Sequence, residues 1–254
     1  MGHPDLELAL ALADSADAIT QRWFRDADLG VETKADMTPV SIADRAVEEM
    51  VRATIAEARP SHSVLGEEYG DDGAAAWRWI VDPIDGTKNF VRGIPVFATL
   101  LALEHEGSLE LGVVSAPALG RRWWGTRDGG AFADGVPVRV SAVARIEDAH
   151  LSGDGYDAFA SHGRGDEFAT LATRCVRSRG FGDFWSHMLV AEGAIDIAVE
   201  PEVSYWDLAA IAVIVEAAGG RFTNLAGEAR ADGGSAVSTN GLLHDEVLAA
   251  LNSE

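Results

Sequence analysis

Residues 79–90 read Trp-Ile-Val-Asp-Pro-Ile-Asp-Gly-Thr-Lys-Asn-Phe, a run that joins a strand-like segment to two closely spaced acids. A short apolar run with strand character ends at Asp82, after which a proline and a glycine turn the chain. Because Pro83 fixes its own φ and Gly86 has no Cβ, Asp82 and Asp85 need not point apart as they would along an extended strand. Mg²⁺ prefers convergent carboxylate oxygens of this kind. The stretch therefore predicts either a metal site just past a strand or an ordinary Asx-type surface turn.

Composition limits the classes of partner. The chain has 254 residues, enough for one large domain or two modest ones, and 20 Lys and Arg against 41 Asp and Glu give a net charge of −21. This charge argues against nucleic acid and anionic membranes as partners, but it permits a small phosphate ester held through metal ions. The sequence contains no long apolar run and no basic N-terminal region, which predicts a soluble cytoplasmic protein.

The hydrophobic pattern predicts a mixed fold. Helical spacing over residues 6–24 predicts a helix, and short β-prone runs separated by Gly-rich turns over residues 95–140 predict antiparallel strands. From about residue 149 to residue 251, short strands alternate with helices. The fold class is therefore α/β of a mixed α+β kind, with sheets sandwiched between helices.

Three further acids stand at element boundaries. Glu67 follows a short apolar run at residues 63–65, where α/β folds often place ligands. Asp44 and Asp207 each follow a serine by three residues at the start of a predicted helix. Taken singly, each has a structural explanation: Asp44 and Asp207 as capping residues, and Glu67 as an exposed loop acid.

Other phosphate-handling motifs do not fit. The sequence has neither a P-loop nor a Gly-x-Gly-x-x-Gly fingerprint, and a calcium-binding loop would need oxygen ligands where Ile84 and Gly86 stand. Asp85-Gly86-Thr87 is similar to part of the haloacid-dehalogenase phosphatase motif. The nucleophilic aspartate of that motif would fall on Pro83, so that mechanism has no nucleophile here.

Five segments together resemble the inositol monophosphatase family of Mg²⁺-dependent phosphatases, in the family's order and over essentially the whole chain: residues 38–44, 66–68, 79–87, 206–209 and 216–220. The resemblance implies a layered αβαβα sandwich of the inositol monophosphatase/fructose-1,6-bisphosphatase type, forming one unit over residues 1–254. A metal-binding α+β half with an antiparallel sheet would span residues 1–145, and an α/β half would span residues 146–254. Family members are commonly homodimers.

The resemblance also implies two or three Mg²⁺ ions per active site. The first ion would be held by Glu67, Asp82 and the Ile84 carbonyl, and the second by Asp82, Asp85 and Asp207. Asp82 would bridge this pair, and a weaker third ion would involve Glu67, with Asp44 acting through waters.

The same resemblance assigns the remaining catalytic and phosphate-binding residues. Thr87, hydrogen-bonded to Asp44, would orient a metal-activated water for direct in-line attack, without a phosphoenzyme. The backbone N–H groups of Gly86 and Thr87 would bind the phosphate at a helix start, and Lys34 matches a family lysine near the phosphate. A solvated loop lysine is the alternative for Lys34.

Substrate choice depends on other residues. Asp183 and Glu200 lie where the family contacts the organic part of its substrate, and L-histidinol phosphate carries an ammonium and an imidazole that an extra acid would bind. Asp183 discriminates better, since inositol enzymes usually carry a small neutral residue there. Lys88 and residues 121–124, 182–184 and 241–247 resemble the bacterial, actinobacterial-type histidinol-phosphate phosphatases, which act in histidine biosynthesis.

Three alternatives remain open at this stage. An inositol-1-phosphate or sugar phosphatase has the same implied metal ligands, and the Thr87-Lys88 pair also resembles the nucleotide 3′-phosphatase branch. A non-catalytic module that binds metal or phosphate is the third alternative. Every metal-ligand position carries the expected acid and Thr87 is present, so the sequence gives no sign of lost catalysis.

Overall fold

The computed structural model describes residues 3–33 and 39–253. The α-helices in these ranges are α1 Leu6–Trp23, α2 Ile42–Ala58, α3 Thr87–Val91, α4 Tyr156–Ser161, α5 Gly165–Arg174, α6 Asp183–Ala191, α7 Tyr205–Ala217 and α8 His244–Leu251. None of these helices combines the length and apolar character needed to cross a membrane.

The strands of the first half are β1 Val31–Thr33, β2 Pro39–Ser41, β3 Ser63–Gly66, β4 Gly70–Asp71, β5 Trp77–Asp85, β6 Ala98–His105, β7 Ser108–Ala116, β8 Arg121–Thr126, β9 Gly130–Ala133 and β10 Val136–Val138. The strands of the second half are β11 His150–Gly153, β12 Arg177–Ser178, β13 Ile197–Glu200, β14 Arg221–Thr223 and β15 Ala236–Thr239.

Two large sheets organise these strands. The first has eight strands in the order β10-β9-β8-β7-β6-β5-β3-β4, all antiparallel except for the β3–β5 pair. The second has five strands in the order β12-β11-β13-β15-β14, with parallel pairs on both sides of β11. The carboxyl ends of β11 and β13 therefore lie side by side, with Gly153 opposite Val199.

Helices cover both faces of each sheet. Helices α1 and α2 pack on one face of the first sheet, and α7 packs on its other face while also contacting β14 and β15 of the second sheet. Helix α6 packs beside α7 and against β13, and α4, α5 and α8 share a core with the far face of the second sheet. Helix α7 is apolar almost all round because sheets lie on both of its sides.

The layered αβαβα fold class is confirmed, and the chain resembles solved structures of that type over its length. The helix start at Gly86 that the resemblance implied is present as α3. Sequence patterns missed other short elements, chiefly α4 and β9. Helix α4 has 6 residues, too few to establish a helical period of apolar residues. The division into halves at residue 145 stays a prediction.

Candidate active site

The first site element is β5, which carries three of the predicted metal ligands: Asp82, Asp85 and the Ile84 carbonyl. Asp82 and Asp85 are three residues apart, so a regular strand would point their side chains to opposite faces. The pairing of β5 with β6 shifts register between Asp82 and Asp85, and such an irregularity re-aims side chains. Within this turn, Ile84 N–H donates to Oδ1 of Asp82 over 2.9 Å. The local irregularity lets both carboxylates face one place.

The third carboxylate of this cluster comes from α7 in the second half of the chain. Asp207 lies in the first turn of α7, where its Oδ2 accepts a hydrogen bond of 3.1 Å from Ser204 N–H. Carboxylate oxygens of Asp82, Asp85 and Asp207 all lie within 4.8 Å of one another. Asp207 therefore caps its helix and also joins the cluster, so the two sequence interpretations of this residue are compatible.

Helix α6 fixes the orientation of Asp85. Phe184 N–H donates to Asp85 Oδ2 over 2.8 Å, and Asp183 Oδ2 accepts 2.7 Å from the side-chain amide of Asn89. Asp183 has a positive φ of 46°, a conformation uncommon outside glycine, and its Oδ2 lies close to Gly86 at the end of the β5 turn. Burial, followed by the charges of Asp183 and Asp207, raises the pKa of Asp85 well above its usual range, against the Phe184 hydrogen bond.

Asp44 and Thr87 meet beside the cluster. Asp44 is fully buried and accepts from Ser41 N–H over 2.8 Å, while its Oδ1 lies 3.3 Å from the Thr87 hydroxyl. The Thr87 hydroxyl also lies 2.8 Å from the carbonyl oxygen of Ile84, so it has two acceptors for one proton. Gly86 caps the N-terminus of α3 with φ of 78°, the left-handed region that favours glycine. The first N–H groups of a helix have no acceptor within the helix itself.

The other predicted site residues come from different elements of the fold. Glu67 follows β3 and lines the same cavity as Asp82 and Thr87. Glu200 ends β13, and Asp183 begins α6, so both come from the second half of the chain. Lys34 lies outside the described residues, and its role stays a prediction.

The predicted metal ligands line a cleft that has a smaller part and a larger part. The smaller part, of about 190 Å³, is lined by Glu67, Asp82, Ile84, Asp85, Gly86, Thr87, Lys88, Asp183 and Asp207. The larger part has about 800 Å³ and shares Asp85, Lys88, Asp183 and Asp207 with the smaller one. Three further acids line only the larger part: Asp154, Glu200 and Glu202. The acidic cluster thus opens directly onto a wider acidic cavity.

Sequence reasoning missed two residues near the cleft. Asp154 follows β11 directly, and the parallel pairing of β11 with β13 brings it to the sheet edge where Glu200 also lies. An acid just past a strand was the signal that identified Glu67, and it applies equally to Asp154. His187 is buried on α6, with Nε2 3.4 Å from Glu200 Oε2 and Nδ1 2.7 Å from Ser238 Oγ. No sequence pattern around His187 indicates that it lies next to Glu200 and Ser238.

Comparison with known proteins identifies the family. The model of the inositol monophosphatase family matches residues 3–254. This chain belongs to the inositol monophosphatase family. A Mycobacterium tuberculosis relative named histidinol-phosphatase is 56% identical over 100% of both chains, and a Streptomyces coelicolor relative of the same name is 50% identical over 98% of this chain and 97% of its own.

Solved structures give the same family relationship. An IMPase of Thermotoga maritima superposes with a TM-score of 0.89 at 33% identity, covering 98% of this chain and 97% of the other. An extragenic suppressor protein of Bartonella henselae gives a TM-score of 0.90 at 30% identity, with 99% of each chain covered. The similarity to both proteins spans both sheets and therefore both sides of the cleft.

Burial and the repulsion between neighbouring carboxylates both raise pKa values in the cluster of this inositol monophosphatase family member. Burial, followed by the neighbouring charges of Glu67, Asp207 and Asp85, raises the pKa of Asp82 well above its usual range. Burial is also the main reason that the pKa of Asp207 rises to about 7, against a lowering hydrogen bond with Asp82. Such crowded oxygens retain protons unless a cation binds them, and hard divalent cations prefer all-oxygen ligands. The donor set therefore fits a divalent metal ion.

The raised pKa values predict a pH-dependent effect of Asp207→Asn on stability without metal. Because the pKa of Asp207 in the folded chain is about 7, the folded chain binds more protons than the unfolded chain between about pH 4 and about pH 7. The free energy of unfolding therefore falls as pH rises through this window. Asparagine does not titrate. In EDTA, the free energy of unfolding of the variant should therefore rise relative to that of the wild type as pH rises, by on the order of a few kcal/mol.

Urea denaturation of both proteins across this pH range measures the difference between their free energies of unfolding. Saturating Mg²⁺ should reverse the order, because a bound ion stabilises the wild type more than the variant. A gap in EDTA that is the same at about pH 5 and about pH 8 would contradict the prediction.

Proposed function

We propose that this protein is a Mg²⁺-dependent phosphomonoesterase that hydrolyses L-histidinol phosphate to L-histidinol and phosphate. The observation that carries the substrate assignment is the larger part of the cleft. Asp154, Asp183, Glu200 and Glu202 line it, and among the described residues that line it Lys88 is the one cation. A cavity with this excess of carboxylates favours a substrate whose organic part is cationic. The full-length relatives named histidinol-phosphatase support the same choice.

The metal-binding proposal follows from the carboxylate cluster. Two or three Mg²⁺ ions would be held by Glu67, Asp82, Asp85, Asp207 and the Ile84 carbonyl. Bound Mg²⁺ neutralises negative charge on the phosphate oxygens and on the leaving alkoxide, and it lowers the pKa of a bound water. The chain itself contributes rigid placement, because β5, α7 and the N-terminus of α6 fix the carboxylates before any ligand arrives.

Three groups near the cluster act on the phosphate and on the attacking water. The single proton of the Thr87 hydroxyl points to Asp44 or to the Ile84 carbonyl, which leaves its oxygen to accept a hydrogen bond from a water beside the acids. Gly86 and Thr87 line the smaller part of the cleft, and their N–H groups would donate to phosphate oxygens there. The cleft offers a water rather than a side-chain nucleophile as the attacking group in this proposal.

Recognition of the organic part falls to Asp183 and Glu200. Both line the larger part of the cleft, and Asp183 also lines the smaller part, so it lies between the phosphate and the wider cavity. The Glu200 carboxylate lies 3.4 Å from Nε2 of buried His187, so one side of it faces α6 rather than solvent. An ammonium or imidazolium group bound between these acids gains charge-assisted hydrogen bonds that a neutral polyol cannot make.

Substrate preference tests the proposal. With Mg²⁺, phosphate release is measured for histidinol phosphate, inositol 1-phosphate, fructose 1,6-bisphosphate and adenosine 3′,5′-bisphosphate. We expect kcat/KM for histidinol phosphate to exceed every other value by at least about tenfold. A preference for another member would refute the histidinol phosphate assignment and leave the phosphatase class intact. Absence of turnover on all four would favour the non-catalytic alternative. Homodimer formation and a cytoplasmic location stay predictions of the sequence.

A further inference from the structure

A buried carboxylate outside the cluster contacts the turn that carries Glu67. Glu48 on α2 is completely buried. Its Oε2 accepts from Glu68 N–H over 2.7 Å, and its Oε1 accepts from Tyr69 N–H over 3.2 Å. A buried acid that accepts backbone N–H groups stabilises one conformation of the segment that donates them. The segment in this case begins at the residue after Glu67.

Arg52 binds both Glu48 and the backbone around the Glu67 turn. It lies one turn along α2 from Glu48, and its Nε donates to Glu48 Oε1 over 2.8 Å. Its guanidinium also donates to the carbonyl oxygens of Val64 and Gly70, the first before Glu67 and the second after it. The ion pair therefore holds N–H groups and carbonyls of the segment from Val64 to Gly70, and Arg52 compensates the charge of buried Glu48.

The residue preceding Glu67 shows how closely the turn and Glu48 approach each other. A Cβ added to Gly66 would lie 2.1 Å from Glu48 Oε1, inside van der Waals contact. Glycine at this position lets the backbone of the turn lie directly against the carboxylate. Helix α2 also carries Asp44 at its N-terminal end, so one helix contacts the candidate site at two places.

We propose that Glu48, supported by Arg52, is a positioning residue that sets the conformation of the Glu67 turn and thereby the metal affinity of the site. This inference rests on the proposed function, in which Glu67 is a metal ligand. Residues that orient metal ligands typically change metal affinity about 10- to 100-fold when they are replaced. Glu48 touches neither the phosphate nor the organic part of the substrate in this proposal.

A double-mutant cycle tests this role with Mn²⁺ as the probe, titrated calorimetrically into the metal-free full-length protein. Glu48→Gln keeps a carbonyl oxygen but loses the charge, and it should weaken Mn²⁺ binding about tenfold. Glu67→Gln should weaken binding as well. Because Glu48 acts through Glu67, the double variant should bind Mn²⁺ about as weakly as Glu67→Gln alone. Losses that multiply in the double variant would overturn the inference.

A matched control separates positioning from general stability. Asp5 is a buried acid that pairs with Arg59 just past the far end of α2, at 2.6 Å. Asp5→Asn should lower Tm without changing Mn²⁺ affinity, whereas Glu48→Gln should change both. Wild-type Mn²⁺ affinity in Glu48→Gln would overturn the inference. A wild-type protein that does not bind Mn²⁺, or that binds it equally after Glu67→Gln, would instead refute the proposed metal site.

Arg52→Lys provides a second variant if Glu48→Gln does not fold. Lysine preserves the charge opposite Glu48 but cannot donate to Val64, Gly70 and Glu48 from one planar group. We expect it to weaken Mn²⁺ binding about threefold or more, and only in proteins that retain Glu67. Unchanged Mn²⁺ affinity in Arg52→Lys would contradict the inference.

Discussion

Asp82→Asn is expected to abolish turnover of every phosphate ester that the wild type hydrolyses, lowering kcat/KM at least about 10³-fold. Asp82 is almost completely buried, and its carboxylate belongs to a cluster in which oxygens from all three aspartates lie within 4.8 Å. An amide cannot offer two anionic oxygens to neighbouring cations. The measurement is phosphate release at saturating Mg²⁺ with histidinol phosphate and with 4-nitrophenyl phosphate.

Folding of this variant is the essential control. Because burial and like charges raise the pKa of Asp82, its neutral replacement should fold and should raise Tm in EDTA at neutral pH. Asp128→Asn removes one charge from an exposed turn between β8 and β9 and should leave kcat/KM close to the wild-type value. Survival of more than about one per cent of the activity in a folded Asp82→Asn protein would refute the bridging role.

Two of the three clustered aspartates, Asp82 and Asp85, could be predicted from residues 79–90 because the signal lies in neighbouring residues of the sequence. Pro83 and Gly86 mark a departure from regular strand geometry, and the structure has its register shift between Asp82 and Asp85. The family resemblance added Asp207, which comes from a helix more than a hundred residues later in the chain. Capping by Asp207 is visible in the sequence alone, but its proximity to β5 depends on α7 packing between the two sheets.

The residues that sequence reasoning missed depend on tertiary contacts. Asp154 reaches the cleft because β11 and β13 are parallel neighbours, and strand order in a mixed sheet cannot be obtained from the local pattern. Glu48 has the spacing of an inner-face residue on α2, where a buried charge is expected only if something satisfies it. Besides Arg52 on the same helix, its partners are backbone groups of a different segment, and no side-chain motif indicates those backbone contacts.

Asp183→Asn is expected to separate the substrates, with a loss of about 10- to 100-fold in kcat/KM for histidinol phosphate and a much smaller loss for 4-nitrophenyl phosphate. Burial and the charge of Glu200 raise the pKa of Asp183 to about 6, so the carboxylate is mostly ionised at neutral pH. Asparagine removes that charge with little change of shape. It can still accept from Asn89, and asparagine tolerates the positive φ of 46° that this position requires.

The second substrate controls for indirect effects of the same substitution. Asp183 also contributes to the raised pKa of Asp85, so its replacement changes the metal cluster for every substrate alike. The 4-nitrophenyl ester lacks a cation, and its loss therefore measures that common effect. The ratio of the two losses isolates the contact with the cationic part of histidinol phosphate. Equal losses on both esters would show that Asp183 supports the α6 terminus rather than the choice of substrate, and recognition would then fall to Glu200 and Asp154.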